Sequence, residues 1–370
     1  MTDGAFGTSG RRRLAFSWLP GIALLIAVLA TSTALKADEP VTIRFGFASV
    51  GVDNRPYSGG SPIATAQAEH YVENELKDLP NVRIEYSFFK GAGPAVNEAF
   101  ANGQLDFASQ GDLPQVIGRA NGLKTRILAA AGAHGPMYLG VPVDSDIHSI
   151  KDLKGRKVAI FRGTNNHLAV VKVLAANGLT ERDLQGINMD EASANAALVT
   201  RNIDAAFGNY GILLLADQGL ARVAYTTKGD NPAYERESSL IAADSFVTAH
   251  PDLTQRVVTA IVKAAYWSSE ESNREALFEI WARSGRPASV YRADFEGQTL
   301  KYRDTPLLDD YLIAQYRFQA QQARQYGLVR RDVSIDGWID PQFLNVALKQ
   351  LGLEHYWTSY DADGKPQGGS

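Results

Sequence analysis

An alternation constrains this chain more than any other feature: short β-patterned runs lead into a small or capping residue beside Pro or Gly, and then into a helical stretch. Val41-Thr-Ile-Arg-Phe-Gly-Phe47 alternates apolar and polar side chains as a strand does. After a loop rich in Gly, Asn and Pro, Ser61-Pro62 opens a helix predicted to about Leu76. Ser is a good N-cap, and Pro in the first turn lacks only an N–H that would be unpaired anyway. Val82 to Phe89 reads as the next strand and leads to Gly91-Ala-Gly93-Pro94, with a helix to Asn102-Gly103. A third strand, Leu105 to Ser109, delivers Gly111-Asp112-Leu-Pro114, where Asp112 can cap a helix. Lys157 to Phe161, the turn Gly163-Thr-Asn-Asn-His167 and a helix from Leu168 to Ala176, stopped by Asn177-Gly178, repeat the unit. The order predicts α/β layering, with helices on a central, largely parallel sheet.

At 370 residues the chain exceeds one domain of roughly 100–200 and is expected to form two lobes, each with its own core. A weak echo supports this: Asn102-Gly-Gln-Leu-Asp106-Phe107 and Thr200-Arg-Asn-Ile-Asp204-Ala205 each follow a helix and enter a short strand. From Pro251 the pattern changes to long helices, predicted over Leu253–Trp267, Glu270–Ser284 and Leu307–Tyr326. Tyr311, Phe318 and Tyr326 on the last of these read as packing residues. The polar tail 359–370 is expected to be disordered.

Arg11, Arg12 and Arg13 precede an apolar run from Trp18 to Ala30, then small residues to Ala34 and Ala37, which is the layout of a secretory signal over 1–37. The run is short for a membrane span of about 20 residues and contains Pro20 and Gly21. Arg12 and Arg13 ahead of Leu14 and Phe16 also admit twin-arginine export. The mature protein is therefore expected to be periplasmic.

Composition excludes several functions. With 37 Lys and Arg against 41 Asp and Glu, the chain has no basic excess to hold nucleic acid. It has no cysteine, which removes disulfides, thiolate metal sites and cysteine nucleophiles. His-Glu-x-x-His, Gly-x-Ser-x-Gly and Walker A motifs are absent, and Gly91-x-Gly93 lacks the third glycine of a dinucleotide fingerprint. Ser87 and Lys90 match Ser-x-x-Lys only at a strand end, and the six histidines are scattered, so neither catalysis, a metal nor a cofactor is predicted. What recurs is a helix start directly after a strand, at Ser61, Gly93, Asp112 and Thr164. Such starts present free N–H groups and positive dipole ends at the carboxyl edge of a sheet, where an anion is the natural guest.

At these residues the chain resembles the substrate-binding proteins of ABC importers for aliphatic sulfonates, taurine and nitrate. The resemblance rests on Gly93-Pro94 with Glu98-Ala99, Gly103-x-x-Asp106-Phe107, Gly111-Asp112-x-Pro114, Asp152-Leu-Lys-Gly-Arg-Lys-Val-Ala159 and Gly163-x-x-x-His167. It implies a two-lobed, type II periplasmic binding protein of the α/β class with mixed central sheets and a helical C-terminal portion. Lobe I would comprise 38–135 and 240–358 and lobe II 136–239, with crossing segments near Ala133–Val141 and Lys228–Ile241 and a hinged closure on the ligand. Carried over by position, Ser61, Gly111, Asp112, Gly163, Thr164, Asn165, Asn166, His167 and Tyr210 should line the cleft. The resemblance further implies a small organic anion as ligand, an inner-membrane ABC permease as partner, a monomeric state and no chemical reaction. Two departures stand out: the loop Ser49 to Gly60 is long, and Asn209-Tyr210-Gly211 occupies the place of a common Trp-Asp-Pro, which argues against an amine-bearing ligand such as taurine. A carrier of thiamine-precursor pyrimidines, stacking on Tyr210 and Phe89, and a pyrimidine synthase-like enzyme using His167 are the alternatives. A sensory partner of a membrane kinase would look the same in sequence.

Overall fold

The structure, a computed structural model, describes residues 40–367. The signal expected over 1–37 lies outside them. The first part of the chain runs β1 (Val41–Phe47), α1 (Pro62–Ala68), α2 (Tyr71–Leu76), β2 (Val82–Phe88), α3 (Ala92–Ala101), β3 (Phe107–Gly111), α4 (Asp112–Ala120) and β4 (Thr125–Ala130). The middle part runs β5 (Tyr138–Val141), β6 (Lys157–Ile160), α5 (Asn165–Ala176), β7 (Gln185–Asn188), α6 (Glu191–Val199), β8 (Ala205–Gly208), α7 (Tyr210–Asp217) and β9 (Arg222–Thr226). The last part holds β10 (Ser238–Ala243), α8 (Asp244–Ala249), α9 (Pro251–Ser269), α10 (Arg274–Ala282), α11 (Ala288–Phe295), α12 (Leu300–Arg303), α13 (Asp310–Gln325), α14 (Gln342–Leu351), β11 (Ser359–Tyr360) and β12 (Pro366–Gln367).

Two five-stranded sheets result, ordered β2-β1-β3-β10-β4 and β7-β6-β8-β5-β9. Within each, three strands joined through helices are parallel, as right-handed crossovers require. The strand–helix alternation alone points to a largely parallel sheet; both sheets are mixed, as the family resemblance implies. β10 enters the first sheet antiparallel between β3 and β4, and β5 enters the second antiparallel between β8 and β9, because each arrives from the other sheet rather than through a helix. Residues 131–137 and 227–237 carry the chain between the sheets, and Gly135 and Arg236 exchange backbone hydrogen bonds of 3.0 and 3.1 Å there.

Each sheet is covered on both faces, so the central strands β3 and β8 are buried along nearly their whole length. On one side of the first sheet Ile43, Phe45 and Phe47 pack against α1, α2, α9 and α14; on the other, Ala108 and Ile241 meet α3, α4 and α13. The second sheet has Val158 and Ile160 against α5, and Ala159 and Ala206 against α6 and α7. A further cluster joins Ala64 of α1 to Trp281, Tyr291, Phe295 and Leu300, and Val290 of α11 is buried in the core beside α7. The expected disordered tail gives way to order over 359–367. A two-stranded hairpin is anchored where the Tyr360 N–H donates to Asp309 (2.9 Å) and the Gln367 amide donates to Asp310 (2.9 Å).

Candidate functional site

The carboxyl ends of β1, β3, β6 and β8 open into a common hollow of about 180 Å³ between the two sheets. First-turn residues of α3, α4, α5, α6 and α7 reach it, so several helix N-termini with their positive dipole ends face one space. Ser61 stands on its rim as the N-cap of α1, its Oγ accepting the Ala64 N–H at 3.2 Å. Gly111 ends β3 in extended backbone, and an added Cβ there would lie 2.7 Å from the Cβ of Asn165. Only a glycine lets the start of α5 come this close to the end of β3. The Thr164 hydroxyl donates to the Phe161 carbonyl at 2.7 Å, which holds its oxygen and the following amides toward the hollow. Burial keeps the Tyr210 hydroxyl neutral by raising its pKa well above the usual phenol range.

Of the residues expected at the site, Ser61, Gly111, Thr164, Asn165 and Tyr210 line this hollow. Asn166 faces a second, adjoining one. Asp112 does not reach either. Its carboxylate is buried and accepts the Leu113 N–H (2.5 Å), the Glu237 N–H (3.0 Å) and the Gln319 amide (3.1 Å), so it ties α4 to the returning segment and to α13. His167 is also turned away: its Nδ1 accepts the Gly163 N–H at 3.2 Å and its Nε2 meets Glu181 Oε1 at 2.5 Å. That hydrogen bond is the main reason the Glu181 carboxyl lies below its ordinary range. His167 stands in the first turn of α5, where its ring braces the Gly163 turn and does not line the hollow. Gly163, at positive φ, lies beside Pro94 and lines neither hollow. Phe89, expected as a stacking face, packs instead against the core beneath α3 and α4.

Three arginines complete the hollow and were not singled out in the sequence: Arg236, Arg286 and Arg303. The Arg236 Nη2 donates to the Pro136 carbonyl, while its Nε–H, shielded from solvent, has no partner among the described residues. Burial pulls its pKa down, but the guanidinium stays charged. Arg286 donates to Glu191 Oε1 at 2.5 Å, and its Nε–H is likewise unpartnered. Burial opposes the charge of Arg286, yet Glu191 outweighs it and the pKa rises. Arg303 donates to Asp294 Oδ2 at 2.8 Å and to Gln298 Oε1 at 2.8 Å. Glu191 is the only carboxylate among the residues lining the hollow. The charge balance of the lining is therefore cationic. Arg236 sits between two glutamates and Arg286 precedes a proline, so both read locally as surface or loop residues. The one sequence signal was their place beside a segment expected to cross between lobes and at a helix start.

Among the described residues, no cluster of His, Asp and Glu stands where it could hold a metal ion, and no helix is long and apolar enough to cross a membrane. Residues 82–274 match the family described as NMT1/THI5 like. The chain belongs to this family. The NMT1/THI5-like chain is 30% identical over 276 residues to the putative aliphatic sulfonates-binding protein of Escherichia coli K12, spanning 72% of this chain and 79% of the relative. It is also similar to the structure of a putative periplasmic sulfonate-binding protein, SsuA, from Methylobacillus flagellatus KT, with 30% identity, a TM-score of 0.72 and coverage of 87% and 98% of the two chains. These relatives place it among the solute-binding proteins of ABC transporters, with the two-lobed periplasmic binding protein fold. The desulfurization enzyme DSZB has the same fold at 19% identity and a TM-score of 0.63, covering 84% of this chain and 99% of that one. An enzyme can therefore be built on this architecture, although the relatives of higher identity are binding proteins.

Proposed function

We propose that the chain is the exported solute-binding component of an ABC importer and that it captures a small organic sulfonate between two closing lobes. The observation that carries this reading is the lining itself, three arginines, Arg236, Arg286 and Arg303, against one carboxylate, Glu191, in a hollow ringed by helix N-termini. A tetrahedral, singly charged oxyanion accepts several such donors at once, and charge-assisted hydrogen bonds each contribute about 1.5–3 kcal/mol. The names of the relatives supply the sulfonate. A pyrimidine carrier would need stacking faces, and among the lining residues Tyr210 is the one aromatic ring. In this reading 1–37 is a cleaved signal, 38–135 with 240–358 forms lobe I, and 136–239 forms lobe II. The ligand-contacting groups are Ser61, Gly111, Thr164, Asn165, Tyr210, Arg236, Arg286 and Arg303. The protein works as a monomer, delivers to an inner-membrane permease and performs no chemistry.

Calorimetric titration with butane-1-sulfonate, and with sulfate and nitrate for comparison, tests this directly. The sulfonate should bind, and Arg236→Ala should weaken it by about 1.5–3 kcal/mol, roughly 10–100-fold, with an unchanged circular dichroism spectrum. Absence of binding by any sulfonate, or full affinity in Arg236→Ala, would defeat the reading.

A further inference from the structure

Glu191 is the one carboxylate among the residues lining the anion hollow, and the function proposed above gives it no task. On the wall of such a site a fixed negative charge repels the guest and lowers its affinity. The side chain is nevertheless held there from two sides. Glu191 opens α6, and a Cβ added to Gly211, in the first turn of α7, would lie 2.8 Å from the Glu191 Cγ, so the glycine makes room for it. From the opposite side the Arg286 guanidinium donates to Oε1 at 2.5 Å. The Glu191 side chain remains 35% exposed, which leaves its carboxylate open to the hollow.

These contacts set the charge that a guest meets. Two of the three lining arginines are already matched, Arg286 by Glu191 and Arg303 by Asp294 at 2.8 Å. Arg236 forms no ion pair among the described residues, and its Nη2 donates to the Pro136 carbonyl. The lining thus offers a single positive charge in excess, which one sulfonate neutralises. Sulfate presents a similar tetrahedron of acceptors but carries a second negative charge, and this charge would face the Glu191 carboxylate without a cation to offset it.

We infer that Glu191 is the specificity-determining residue of the hollow, a fixed negative charge that admits singly charged oxyanions and rejects dianions such as sulfate. The inference rests on the anion-binding reading above and adds to it the device that selects among anions, a repulsive element directed against the wrong guest. Glu191→Gln keeps the size of the side chain and an acceptor for Arg286 while removing the charge. Coulomb energy is proportional to the charge of the guest, so the gain in affinity for a dianion should be about the square of the gain for a monoanion. A residue that served packing alone would move both guests alike.

The test is displacement calorimetry on the full chain, with butane-1-sulfonate as the bound guest and methanesulfonate and sulfate as competitors. The parent should bind methanesulfonate about tenfold or more tighter than sulfate. Glu191→Gln should raise the ratio of sulfate to methanesulfonate affinity about tenfold, whereas Glu191→Asp, which keeps the charge and shortens the side chain, should hold it within about threefold of the parent. Arg286→Gln, which strips the carboxylate of its partner, should lower the ratio. A parent that binds both anions equally, a ratio unmoved by Glu191→Gln or raised by Arg286→Gln, or a Glu191→Asp variant that behaves as Glu191→Gln does, overturns the role of Glu191 and leaves the anion site standing. If butane-1-sulfonate itself does not bind, both readings fall.

Discussion

Glu237 shows how the segment returning between the sheets is held at the level of single atoms. It follows Arg236 directly, yet its side chain turns into the protein, where Oε1 accepts the His134 N–H at 3.3 Å and Oε2 has no partner among the described residues. Burial, with Glu235 and Asp112 nearby, raises its pKa well above the ordinary carboxyl value. A raised folded pKa means that the native state binds the proton more tightly than the unfolded chain. Stability from this group is full below the unfolded pKa, near pH 4.5, and is lost as pH climbs through the folded value. Each unit between the two values costs about 1.4 kcal/mol. Glu237→Gln keeps an acceptor for the His134 amide and removes the ionisation. Its thermal unfolding midpoint should exceed that of the parent at pH 8, and the gap should close toward pH 4. A gap independent of pH would show that Glu237 does not titrate as its surroundings require.

At the scale of elements, the strands and helices that the sequence disclosed are those whose signals are local. Ser61-Pro62 starts α1 where capping chemistry placed it, and β1, β3 and β6 fall on their predicted runs. Among the strands that escaped, β5 and β10 are short, mostly apolar runs of four and six residues whose partners lie in other parts of the chain, and periodicity alone cannot assign such runs. They are also the strands that turn both sheets from parallel to mixed. The same division applies to the site: Thr164 and Asn165 were legible because a helix start is written in adjacent residues, whereas Arg236, Arg286 and Arg303 meet only through tertiary packing. His167 and Asp112 carried the right neighbourhood and the wrong direction, since a sequence motif does not say which way a side chain turns. Gly111 is the case where an element boundary bears on function. Its φ of −75° suits any residue, so the demand for glycine comes only from Asn165 at the start of α5. Gly111→Ala should therefore spare the fold of each lobe and oppose their approach, at about 1–3 kcal/mol, the usual cost of overpacking. Titration should show sulfonate affinity lowered roughly tenfold with the melting temperature of the ligand-free protein little changed. Unaltered affinity would mean that the ends of β3 and α5 need not close on each other to bind.

Across the whole molecule, the two sheets are joined by more than the paired segments 131–137 and 227–237. Helix α11 comes from the C-terminal part of the chain, shares Tyr291 and Phe295 with the cluster around α1, and buries Val290 against α7. Its Asp294 is the polar centre of this junction. Oδ1 accepts the Tyr138 hydroxyl of β5 at 2.9 Å, and Oδ2 accepts Arg303 at 2.8 Å, with the Arg303 and Asp294 side chains only 5% and 2% exposed. An ion pair this deep gains little over a well-packed apolar pair, but removing one partner leaves a buried charge, a loss of about 3–5 kcal/mol. Asp294→Ala would strand the Arg303 guanidinium and the Tyr138 hydroxyl together, one in each half of the junction. Because the same carboxylate joins β5 to α12, the damage should fall on the coupling between halves as well as on stability. In calorimetry the parent should unfold in one transition, and Asp294→Ala should unfold earlier and in two resolved steps. Arg303 also lines the hollow, so sulfonate affinity should drop with it. One transition, merely shifted, would show that the halves stay coupled without Asp294, through the crossing segments and the packing of α11 on α7.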